Sequence, residues 1–126
     1  MNFGESKVKN FYAPLADGYD RMMAADKRIP QAESFLQNLK KRKDFHTVID
    51  AGCGSGHFAI AAANLGCQAV GIDLSNEMLD IARRTADARN ADVQWRQGSL
   101  VQTDKLAPAP ADLLLCMGNT LPHILN

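Results

Sequence analysis

The stretch Val48-Ile49-Asp50-Ala51-Gly52-Cys53-Gly54-Ser55-Gly56-His57-Phe58 decides how this chain folds. It opens as an apolar run, Thr47 to Ala51, of strand length, and passes straight into a glycine cluster. From His57 to Leu65 it turns alanine-rich and helical, with Gly66 where a C-cap glycine is expected. Glycines directly after a strand and before a helix let a ligand approach the backbone beside the helix N-terminus.

Three further runs of strand length surround this unit: Cys67 to Asp73, Asp92 to Gln97, and Asp112 to Met117. The first, second and fourth runs of the chain are apolar enough to be buried on both faces, as parallel strands are. Ser75 predicts the N-cap of a helix in which Met78, Ala82 and Ala86 recur at four-residue spacing, beside Leu79 and Ile81. Ahead of the first strand, residues 31–43 place Phe35, Leu36 and Leu39 on one side of a helix. Its Lys40-Lys41-Arg42-Lys43 end reads as a solvated terminus favoured by the helix dipole, with a localisation or polyanion signal as the other reading. Ala107-Pro108-Ala109-Pro110 is a stiff loop, since neither proline donates a backbone hydrogen bond.

The order is helix, βαβαβ, proline loop and fourth strand. It predicts an α/β fold: a doubly wound, Rossmann-like parallel sheet with helices on both faces. One domain over residues 1–126 is expected, with 1–45 as a helical entry segment. The chain stops nine residues after Met117, where such a sheet begins its second half. Truncation after the fourth strand is therefore expected, or pairing of that apolar edge with a second copy as a homodimer.

Composition narrows the function classes. With 46% hydrophobic residues the chain carries a real core, and disorder is excluded. Fourteen basic and fourteen acidic residues cancel, so the electrostatic footprint of a nucleic-acid binder is missing. No apolar run approaches the ~20 residues of a membrane span, and the N-terminus lacks the apolar region of a signal peptide. The expectation is a cytoplasmic protein with neither nucleic-acid nor membrane partners. Cys53, Cys67 and Cys116 are odd in number and scattered, against a disulfide framework. Cys53 and His57 come nearest to a metal pair, but no second pair accompanies them, so no metal is expected.

Two acids refine the glycine loop. Gly54-Ser55-Gly56-His57-Phe58-Ala59 satisfies the dinucleotide pattern G-x-G-x-x-G/A, which keeps an NAD-type oxidoreductase domain open as the alternative. Asp50, two residues before the first glycine, would repel a pyrophosphate and welcome ammonium and sulfonium groups. Asp73, at the tip of the next strand, is in position to accept hydrogen bonds from both ribose hydroxyls. Together they point to S-adenosylmethionine. The plain structural reading is that Asp50 and Ser55 shape the turn while Asp73 caps the next helix.

Asp50-x-Gly52-x-Gly54-x-Gly56, followed by Val70-Gly71-Ile72-Asp73-Leu74-Ser75-x-x-Met78-Leu79-x-x-Ala82, resembles the class I S-adenosylmethionine-dependent methyltransferases. The resemblance runs from about Phe11 to the end of the chain, roughly the N-terminal half of such a domain. It implies that Asp50, with backbone at Gly52 and Gly54, holds the methionine portion and its ammonium. It also implies that Asp73 holds the ribose and that Leu74 and Met78 flank the adenine. Where the family often carries an acid for the adenine amino group, this chain has Ser99, a weaker acceptor, so adenine recognition leans on the backbone around Leu100.

Cys116-Met117-Gly118-Asn119-Thr120-Leu121-Pro122-His123 resembles the segment lining the methyl-transfer site of glycine N-methyltransferase-like enzymes. By that resemblance the Met117 backbone touches the cofactor amine, Asn119 orients a small polar acceptor, and His123 lies near the pocket. Asn119 as a turn residue and His123 as a surface histidine at a helix start remain equally open. Upstream, Phe11-Tyr12-x-x-x-Ala16-x-x-Tyr19-Asp20-x-Met22 resembles the lid of such enzymes. There Tyr19 would cover the sulfonium by cation–π attraction and Arg28 would neutralise the cofactor's carboxylate. Packing of Tyr12, Tyr19 and Met22 as helix core is the other reading. Transfer of a methyl group to a small-molecule acceptor, an amine by resemblance, is the expected function. No residue is identified as a general base. A cofactor-binding or oligomerising module without turnover is the non-enzymatic alternative.

Overall fold

The computed structural model describes residues 18–99, 102 and 111–116, with side chains from Ala24 onward. The elements in chain order are α1 (Gly18–Arg42), β1 (Thr47–Ala51), α2 (His57–Asn64), β2 (Gln68–Asp73), α3 (Asn76–Ala88), β3 (Val93–Gln97) and β4 (Leu113–Leu115). The four strands form one parallel sheet in the order β3-β2-β1-β4. In register, Asp50 lies between Gly71 of β2 and Leu115 of β4, and Gly71 lies beside Trp95 of β3.

The helix ahead of β1 starts earlier than the spacing of residues 31–43 predicts and runs through Pro30. Ala25, Ile29, Ala32 and Leu36 fall on one buried stripe, while Asp26 and Pro30 face solvent. An interior proline costs about 3 kcal/mol. Burying Ile29 and Leu36 offsets it at about 1.5–3 kcal/mol each, and water can reach the carbonyl the proline leaves free. Leu36 and Leu39 join the core as expected, whereas Phe35 is left partly out, its ring edge-on to Phe58 with centroids 5.8 Å apart.

Ser75 caps α3 as expected, its Oγ accepting the Met78 N–H at 3.2 Å. Gly66, with φ +88, follows α2 in the left-handed conformation of a C-terminal cap. Arg89, just past α3, pairs with Asp26 of α1 and ties the outer helices together.

All three helices bury their apolar residues in one cluster with Val48, Ala69, Trp95 and Leu115, hence on one face of the sheet. The opposite face carries a separate row, Ile49, Val70 and Ile72, packed with Ala111. Among the described residues the helices therefore cover one face of the sheet. The reason is directional: β1 to β2 to β3 steps one way, and right-handed crossovers in one direction lay their helices on the same side. Only β4 lies on the other flank of β1, so the order reverses there. The fourth strand is also shorter than Asp112–Met117, and Leu114 is 55% exposed, so β4 is not buried on both faces.

Trp95 fills the gap between β3 and the glycine loop. A Cβ on Gly71 would lie 2.4 Å from its indole, and one on Gly56 would lie 2.6 Å away. Both positions therefore require glycine. Gly56 also holds φ +83, which other residues adopt only with strain.

Candidate active site

The loop after β1 lies at the carboxyl end of the sheet, beside the point where strand order reverses, where open α/β sheets bind ligands. It is tied to β2 through one carbonyl: the Gly52 and Cys53 amides donate to Ile72 O at 2.7 and 2.9 Å. The Gly56 N–H donates to Cys53 O at 2.9 Å and closes the turn.

Asp50, in β1 beneath this loop, is 2% exposed. Burial first, then the nearby charge of Asp73, pushes its carboxyl up to about 7, against an opposing hydrogen bond from the Ala59 amide. A half-protonated buried acid with little compensation is chemically suited to a cationic group. Asp73 behaves differently. Its Oδ2 accepts the Gly54 N–H at 2.8 Å and its Oδ1 accepts the Ser75 N–H at 2.9 Å. Each carboxylate oxygen keeps a second lone pair, so the residue can brace the loop and still accept from a diol. Two acids flanking one loop fit a ligand with an ammonium and a ribose better than one presenting a pyrophosphate.

Around this pair the sequence candidates distribute unevenly. Asp50, Gly52, Gly54, Asp73 and Met78 come together, and the Met78 terminal methyl lies 3.7 Å from where a Gly54 Cβ would be. Leu74, just past the tip of β2, is 63% exposed. Ser99 sits beside that tip, because the Gly98 N–H donates to Asp73 O at 3.0 Å and the Gln97 side-chain Nε2 donates to Leu74 O at 3.2 Å. Its own hydroxyl and N–H turn to Gln102 Oε1, at 3.3 and 3.0 Å. Arg28 is exposed on α1, on the side of His57. Tyr19 lies in α1 with its side chain outside the described part. Leu100, Met117, Asn119 and His123 lie outside the described residues, as does Tyr12. Cys116, just past β4, feels the charge of Asp50, so the exit of β4 is on the Asp50 side.

Sequence reasoning missed two participants. Burial, helped by Arg28 and Arg89, lowers His57 to about 4, so the imidazole is neutral at pH 7, with Nε2 3.2 Å from Ser55 Oγ. Nothing in its local sequence signals this, since burial comes from packing and both arginines from distant parts of the chain. Trp95 was legible only as a strand residue, although a lone tryptophan opposite a strand glycine is a signal of close approach. Burial, then the charges of Asp50 and Asp73, push the Cys53 thiol upward, away from the thiolate form. Among the described residues no cluster of three metal-ligating side chains occurs, and no helix is long and apolar enough to cross a membrane.

Comparison with known proteins gives this geometry a context. Residues 48–126 match the family model described as a methyltransferase domain. A Geobacillus sp. protein carrying a methyltransferase name is 28% identical over 108 residues, 83% of this chain and 43% of that protein. A ubiquinone biosynthesis O-methyltransferase of Paracidovorax citrulli is 37% identical over 78 residues, 61% of this chain and 32% of its own length. The crystal structure of an S-adenosylmethionine-dependent methyltransferase from Clostridium acetobutylicum superposes with a TM-score of 0.68 at 19% identity. That match covers 91% of this chain and 47% of the other, and it shows the shared fold. The chain spans less than half the length of these relatives.

Proposed function

The chain belongs to the methyltransferase domain family, and we propose that it is the cofactor-binding half of an enzyme methylating a small-molecule acceptor. S-adenosylmethionine is the cofactor of that family. One observation carries the assignment of its site: the buried Asp50 carboxyl, raised to about 7, lies beneath a glycine loop whose Gly54 amide is held by Asp73.

In this reading Asp50 takes the ammonium, with the Gly52 and Gly54 backbone along the methionine portion. Asp73 accepts from the ribose while fixing the loop. Leu74 and Met78 pack the adenine, with Ser99 and Leu100 at its edge. Arg28 meets the carboxylate, and Tyr19 covers the sulfonium. The Met117 backbone touches the cofactor amine, and Asn119 and His123 form the acceptor side, for which an amine is the favoured class. The bound cofactor supplies a methyl group already activated on sulfur. What remains for the protein is to orient, exclude water and balance charge, which the loop and its two acids suit. An unpaired set of three cysteines supports a cytoplasmic setting for the same enzyme.

Calorimetric titration with S-adenosylhomocysteine tests the reading, with NAD as the competing ligand. Saturable binding of the first alone is expected. Binding of NAD instead would overturn the assignment of Asp50. The β4 edge, with Leu114 exposed, is proposed to pair with a second copy. Sedimentation should then show a dimer that Leu114→Lys dissociates, and a monomeric wild type would end that part of the proposal.

A further inference from the structure

We infer that Trp95 is a positioning residue for the cofactor loop: its indole, wedged under Gly71 and Gly56, sets where the loop amides stand. The inference rests on reading this loop as the cofactor site. Trp95 sits on β3, one strand beyond β2, and is 9% exposed. Its six-membered ring lies against two backbones at once, which only glycine allows. On one side Cζ3 and Cε3 lie 2.4 and 2.5 Å from where a Gly71 Cβ would be; on the other Cη2 lies 2.6 Å from a Gly56 Cβ. Ala82 of α3 encloses Gly56 from another side, at 2.8 Å from the same position.

These two glycines bracket the atoms that would meet a ligand. Gly71 precedes Ile72, whose carbonyl holds the Gly52 and Cys53 amides, and then Asp73, which holds the Gly54 amide. Gly56 closes the loop on Cys53 O and opens α2. A flat, rigid side chain touching both ends fixes the spacing between them, because close-packed interiors transmit displacement rather than absorb it. A generic core residue would stabilise the sheet without touching the loop. This one touches the loop at Gly56 and the strand that anchors it at Gly71.

The experiment compares the intact wild-type chain with Trp95→Leu, Gly71→Ala and the double variant. The readouts are amide exchange protection at Gly54 and S-adenosylhomocysteine affinity. Trp95→Leu should lower Gly54 protection and weaken binding by roughly tenfold to a hundredfold, the scale of losing one hydrogen bond to a charged group. Gly71→Ala should act in the same direction, since its methyl meets the ring. The double variant should recover to within roughly threefold of wild type, because the smaller side chain admits the methyl. Where Trp95→Leu does not fold, Trp95→Phe should show a partial loss on both readouts. Single variants that lower only the melting temperature, with Gly54 protection and affinity unchanged, overturn the inference. So does a double variant worse than either single. If the wild type itself binds no S-adenosylhomocysteine, the cofactor reading fails, and Gly54 protection still decides the role of Trp95.

Discussion

Asp50 and Asp112 are the same residue type serving the same strand, β1, from opposite ends. Asp112, at the entrance to β4, is exposed, and its Oδ2 accepts the His46 and Thr47 amides at 2.8 and 3.2 Å. Those two bonds hold its carboxyl below the usual range. Asp50 is buried, and desolvation together with Asp73 raises it to about 7. One acid is satisfied by the fold and pins an edge strand to its neighbour. The other is left short of compensation by the fold, and in the proposed function a cation completes it. Unmet electrostatic demand, rather than acidity, separates the carboxylate proposed to bind the cofactor from the structural one.

The largest test of that contrast is Asp73→Ala. Losing an acceptor for two backbone amides and for the diol should weaken S-adenosylhomocysteine binding by roughly a hundredfold in calorimetry, since bonds to a charged group are worth ~1.5–3 kcal/mol.

Next comes pH. Asp50 binds its proton more tightly folded than unfolded, so the folded state holds the extra proton between about 4 and about 7. Its contribution to stability therefore falls as pH rises through that window. A cationic ligand prefers the ionised form, so affinity should climb from pH 6 towards 7.5. It should turn over only at still higher pH, where the ligand's α-amino group loses its proton. Asp50→Asn should abolish the climb, lower affinity at pH 7.5, and raise the melting temperature at pH 8. An unchanged pH profile in that variant would remove Asp50 from the site.

The smallest effect belongs to Asp112. Its lowered carboxyl contributes stability above the unfolded value near 3.9, and the contribution is lost as pH falls through the folded one. Exchange protection of the His46 and Thr47 amides should drop at pH 3 and in Asp112→Ala, with cofactor affinity unchanged. A loss of affinity there would show that the two ends of β1 are coupled.

Much of this was legible in residue order. The run from Val48 to Phe58 announces strand, glycine loop and helix because each is a short-range preference. Ser75 announces its cap for the same reason. Pro30 misleads in the opposite sense: it argues for a helix boundary, yet the stripe Ala25, Ile29, Ala32 and Leu36 carries the helix across it by burial against α2. Which face each helix covers was not legible in the order of strands and helices. The side a helix takes depends on the direction of each crossover, and the strand order becomes visible only in the assembled sheet.

By itself the sequence determined the alternation of strands and helices, the place of the glycine loop and the two acids beside it. Those features need only neighbours within a few residues. The sheet order, the exposed edge at Leu114, the elevation of Asp50, the neutral His57 and the wedge of Trp95 were decided by tertiary structure alone. Each depends on solvent exclusion or on charges and backbones brought together from distant positions.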